Sequence, residues 1–111
     1  MSEARAELTD RLRSHYRRGG WSVKQPSPEL LEVAGPGGVT WIGRAVVEED
    51  FASETFEAEI VDLAARRMES GGELCPLELL PQAECEPKLR ELLERTGLDH
   101  RPHISVYSAA A

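Results

Sequence analysis

The stretch Gly35-Pro36-Gly37-Gly38 constrains this chain more than any other feature of its sequence. Glycines supply the backbone freedom that a tight reversal needs. The flanking segments, Glu29 to Ala34 and Val39 to Val47, are rich in strand-favouring side chains, so the pattern predicts a β-hairpin. Just upstream, Trp21-Ser22-Val23-Lys24-Gln25 alternates apolar and polar before Pro26 and Pro28 interrupt it. Together the three segments predict a meander in which Val39 and Trp41 share one face while Ile42 and Val46 share the other.

On either side of the meander the period changes to that of a helix. Ala4, Leu8, Leu12 and Tyr16 recur at helical spacing from Glu3 to Arg18, and Gly19-Gly20 stops the run. Phe56, Ile60, Leu63, Ala64 and Arg67 mark a second helix with Ser53 or Thr55 as N-cap, Arg66-Arg67 in the last turn and Gly71-Gly72 beyond it. Leu74 to Leu80 reads as a short buried strand with Pro76 near its start or on an edge. Pro87 opens a third helix striped by Leu89, Leu92 and Leu93, with Gly97 at C′, and His103 to Tyr107 alternates as a final strand.

The order is therefore α-βββ-α-β-α-β. It predicts an α+β fold in which three helices cover a mixed five-stranded sheet, an antiparallel three-strand meander extended by crossover strands. With 111 residues and 41% hydrophobic content the chain is expected to form one domain, 1–111, with an ordered core at about 4–107 and a tail, Ala109-Ala110-Ala111, that has no reason to be ordered. No segment approaches the roughly 20 apolar residues of a bilayer span, and the charged start carries no targeting signal, so the expectation is a cytoplasmic protein with no membrane partner.

Several chemistries lack their residues. The glycine-rich turn has no following helix and no Lys-Ser/Thr pair, so it is not a phosphate cradle. Cys75, Cys85, His100 and His103 have C-x9-C-x14-H-x2-H spacing, whereas zinc sites pair their ligands two to four residues apart, and no metal site is assigned. Cys85 lies between Glu84 and Glu86, which oppose a thiolate, and no elbow motif anchors a Ser-His-Asp triad. A small enzyme using Cys75 or a histidine ranks third among the functional readings. The net charge of −7 repels a polyanion at long range, which disfavours nucleic acid, although Arg13, Arg17 and Arg18 crowd the first helix and form the candidate nucleic-acid contact. Interleaved Glu3, Glu7 and Asp10 make a solvated helix face the simpler account of that run.

Element order, the Arg18-Gly19-Gly20-Trp21 entry to the first strand and the Pro28-Glu29 pair together resemble the PD-(D/E)xK nuclease-like superfamily, the group of Holliday junction resolvases and restriction endonucleases. The resemblance covers roughly residues 4 to 80 and implies Glu29 as the acid opening the second strand, with Glu7 as an additional acid. Where the family places acid-x-Lys on the third strand, this chain has Ile42-Gly43-Arg44. Two carboxylates would hold Mg²⁺ and a lysine would help activate water, and Arg44 cannot act as that base. Glu29 and Arg44 are therefore catalytic candidates only if such a site functions, with Glu32 and Glu48 as the further acids that would have to converge on Mg²⁺. Small acidic proteins of similar element order also resemble the type III secretion chaperone-like folds, which dimerise and present a groove to a client. Composition suits that class. The expected function is a non-catalytic protein-interaction or regulatory domain, an inactive nuclease-like scaffold, whose partner is protein, self or other. The alternative is a Mg²⁺-dependent nuclease or DNA-structure-binding protein.

Overall fold

The computed structural model describes residues 3–69 and 71–108. Helix α1 (Glu3–Arg18) precedes strands β1 (Ser22–Ser27), β2 (Leu30–Ala34) and β3 (Thr40–Val46). Helix α2 (Phe56–Ala64), β4 (Leu77–Pro81), α3 (Glu86–Arg95) and β5 (Ile104–Val106) follow. The five strands form one sheet in chain order, antiparallel from β1 to β3 and parallel from β3 to β5. This is the mixed α+β architecture that the sequence pattern predicts.

Strand alternation divides the core in two. On one face Leu8, Leu12 and Tyr16 of α1 pack on Leu31, Val33, Ala45, Val47 and Leu80. On the other, Phe56, Ile60 and Leu63 of α2 and Leu89, Leu92 and Leu93 of α3 cover Ile42, Val46, Leu77 and Leu79. Each fully buried leucine or isoleucine contributes about 1.5–3 kcal/mol, so three helices on one small sheet are enough to stabilise a domain of this size. The expected facing of the meander holds for Trp41, which packs with the α1 cluster, and for Ile42 and Val46, which pack with the other, while Val39 lies in the turn ahead of β3.

The hairpin between β2 and β3 closes through a bond from the Gly35 amide to the Val39 carbonyl (2.9 Å), with a 3₁₀ turn over Pro36–Gly38 and Gly37 at φ +75°. Several boundaries differ from expectation. Strand β1 runs on through Pro26 to Ser27, which an edge strand permits because its outer side needs no donor. Glu29 lies in the β1–β2 turn, one residue ahead of β2. Helix α2 stops at Ala64 rather than Arg67. The following residues form a small antiparallel ladder instead, in which Cys75 donates to the Arg66 carbonyl (2.9 Å), Arg67 bridges Leu74 and Met68 donates to the Glu73 carbonyl (2.7 Å). Strand β4 starts after Pro76, and β5 keeps three residues of the expected five. The expected tail at 109–111 lies outside the described residues. No described helix is long and apolar enough to cross a membrane.

Candidate functional site

The third-strand position singled out by sequence is a buried ionic hub. Strand parity turns Arg44 toward α2, where it is 1% exposed. Its Nε donates to Glu59 Oε2 (2.9 Å) and Nη2 to Glu59 Oε1 (3.1 Å), a bidentate grip. Nη1 donates to Asp50 Oδ2 (3.1 Å) and to the Ala45 carbonyl (2.5 Å), and the guanidinium carbon lies 5.1 Å from the centre of the Phe56 ring. Burial pulls the pKa of Arg44 down, but its bonds to Glu59 and Asp50 more than offset this and hold it above the ordinary arginine value.

Asp50 owes its place to a 3₁₀ turn, Glu48–Ala52, that carries the chain off the end of β3. Its Oδ2 also accepts the Val47 amide (2.9 Å), and its own amide donates to the Val47 carbonyl (3.1 Å). From the opposite face of the sheet Arg5 of α1 reaches Asp50 Oδ1 at 3.2 Å and Glu29 at 3.8 Å. Charges thus alternate along Glu29–Arg5–Asp50–Arg44–Glu59, joining α1, the turn before β2, the end of β3 and α2. Thr9, buried beside them, donates to the Pro28 carbonyl (2.9 Å).

The further acids do not meet. Glu32 pairs with Arg66 (2.7 Å), Glu48 with Lys88, and Glu29 with Arg5. Each is neutralised by a different cation on a different element. Among the described residues no group of three or more His, Cys, Asp or Glu side chains is placed to hold a metal ion. Arg13 bonds Asp10 and Gln25, while Arg17 and Arg18 lie exposed in the last turn of α1, Arg18 reaching back to the Ser14 carbonyl at 3.4 Å. Trp21 and Trp41 are half-buried against each other, ring centres 5.1 Å apart.

Both cysteines are free and buried. Burial raises each thiol pKa, and Glu48 adds to the effect at Cys85, so the acid beside that thiol is one that folding brings there. His100 faces Asp99 (3.3 Å), while His103 Nε2 lies 2.8 Å from the Ala64 carbonyl at the end of α2. The four residues of the C-x9-C-x14-H-x2-H pattern therefore have separate local roles.

A second buried carboxylate has little signature in the sequence. Glu78 of β4 is 4% exposed on the α1 face, where the Tyr16 hydroxyl donates to Oε1 (2.5 Å) and the Tyr107 hydroxyl to Oε2. Burial first, and then Glu78, raises both phenols, Tyr107 up to about 12. The one available signal is a charge inside the apolar run Leu77-Glu78-Leu79-Leu80. Nothing in the sequence names its partners. No protein-family model, curated protein or solved structure matches this chain.

Proposed function

We propose that this chain is a non-catalytic protein-interaction domain on a nuclease-like scaffold. One observation carries the reading: Arg44, at the third-strand position where phosphodiester hydrolysis wants a metal-binding acid and an amine, is clamped by Asp50 and Glu59 in the core. A guanidinium so held neither grips a metal ion nor takes a proton from water. Glu29, the acid the resemblance singles out, faces Arg5. With those charges tied into the packing, the domain acts through its surface.

Incubation of the purified protein with branched and linear DNA in Mg²⁺ or Mn²⁺, beside a Glu29→Ala variant, tests this. Neither protein is expected to cut. Cleavage by the native chain that disappears in Glu29→Ala would establish the alternative, a Mg²⁺-dependent nuclease, and remove the proposal.

A further inference from the structure

Topology sorts the charges of this molecule by end. Strands β1, β3, β4 and β5 point the same way, and each helix precedes β1, β4 or β5 on the return path, so the three helices share the opposite direction. Their C-termini gather where those strands begin. Arg17 and Arg18 close α1 and Arg66 and Arg67 follow α2, each cation complementing a negative helix end, whereas Arg95 at the end of α3 is drawn to Glu57 in the first turn of α2 (2.7 Å). The other end carries Glu48, Glu49, Glu84 and Glu86.

At the cationic end the sheet has an uncovered face. Helices α2 and α3 cover β3 to β5, leaving Lys24 of β1, Glu32 of β2 and Thr40 of β3 as the floor of a concavity of about 670 Å³. Its wall is the ladder after α2, which contributes Arg66, Arg67 and Met68. That volume lies within the range of ordinary binding clefts. Arg66 is matched by Glu32. Lys24 and Arg67 have no carboxylate partner among the described residues, and Arg67 uses one guanidinium nitrogen on the Gly72 carbonyl (2.7 Å). In a chain of net charge −7 this groove therefore holds two exposed cations that no carboxylate pairs with among the described residues, beside the half-buried thioether of Met68.

We infer that the groove docks an acidic, extended segment of a partner protein, its carboxylates meeting Lys24 and Arg67 and an apolar side chain lying against Met68. The inference rests on the reading of this chain as an interaction domain and names the chemistry of its partner. A peptide suits the groove better than a nucleic acid does. Glu32 and Glu69 interrupt its cations, which a peptide with spaced carboxylates can straddle and a continuous run of phosphates cannot, and among the described residues no aromatic ring lines it for a base to stack on. A second copy offering its acidic end would make a heterologous, head-to-tail contact, which builds rings or open filaments rather than a two-fold dimer.

Fluorescence anisotropy with a labelled Glu-Val repeat peptide at low salt provides the test, with a single-stranded oligonucleotide of equal charge as the second probe. Saturable peptide binding is expected, weakening about tenfold or more in a Lys24→Glu, Arg67→Glu double variant. Both side chains are exposed, so the variant should keep its native circular dichroism, with a lower melting temperature because Lys24→Glu faces Glu32 across the β1–β2 pair and Arg67→Glu gives up its bond to the Gly72 carbonyl. Amide shifts on titration should map to residues 22–40 and 66–75. Equal affinity in the double variant, no saturable binding, or tighter binding of the oligonucleotide would overturn the proposal. So would concentration-dependent growth in light scattering that the peptide reverses, since it would make a second copy the occupant. Loss of peptide binding alongside absent DNA cleavage removes the groove and leaves the scaffold reading standing, whereas DNA cleavage that needs Glu29 removes the scaffold reading itself.

Discussion

Arg44 sits where a strand between two packed layers normally carries an aliphatic side chain. Its place on the third strand, on the face of Ile42 and Val46, was legible because side chains alternate with a period of two. Its partners were not. Asp50 reaches it through a 3₁₀ turn and Glu59 from the next helix, and neither spacing has a sequence signature. Removing one member of a buried ion pair leaves the other charge stranded, which generally costs about 3–5 kcal/mol. Arg44→Ala is expected to lose unfolding free energy up to about that much, tempered because Asp50 keeps Arg5 at 3.2 Å and Glu59 keeps 37% of its side chain in water and can be rehydrated. Urea titration of the two proteins checks it. A loss below about 1 kcal/mol would mean that the hub is solvated and that Arg44 is free for other work. Arg44→Lys is expected to recover only part of the loss, since a single ammonium cannot make the bidentate grip on Glu59.

Between elements, the docking of α1 depends on what Gly43 lacks. A Cβ there would lie 2.8 Å from the Tyr16 hydroxyl oxygen and 2.9 Å from its Cε2, closer than real contacts allow. Tyr16 cannot swing clear without releasing Glu78, so the missing side chain sets how near the helix lies to the sheet. Gly43→Ala is expected to cost about 1–3 kcal/mol, the usual penalty for overpacking. Chemical denaturation of Gly43→Ala with and without Tyr16→Phe measures the coupling, and strictly additive losses would show that the two residues do not press on each other. Tyr16 was readable as a core residue from its i, i+4 spacing to Leu12, while the need for glycine opposite it was not, because β3 and α1 are far apart in sequence. The end of α2 was misplaced for a related reason. Arg66 and Arg67 suit a last helical turn by composition, but the backbone groups of Arg66, Arg67 and Met68 pair with those of Glu73, Leu74 and Cys75, and that local ladder outcompetes another turn of helix.

Across the whole molecule, Glu78 joins the first helix to the residue after the last strand through two phenols. Raised phenol pKa values mean that the unfolded chain gives up those protons first. Stability from this source is complete below pH 10.0, the ordinary tyrosine value, and drains away as pH rises through about 12, where Tyr107 ionises in the folded state. The denaturation midpoint of the native protein is expected to fall over that interval, and that of Tyr107→Phe to fall less steeply. Parallel curves for the two proteins would disprove the link. The element order and the split of the core were readable from periodicity alone, whereas this cross-link was not, since it depends on parallel pairing that brings residues 78 and 105 side by side. The same sheet has a further property. Its spatial order repeats its order along the chain, so no strand is ever inserted between two that are already paired. A nascent chain can therefore lay down each strand on the open margin of the one before, as bricks are added to a wall, and the margin left at the end is a strand of only three residues.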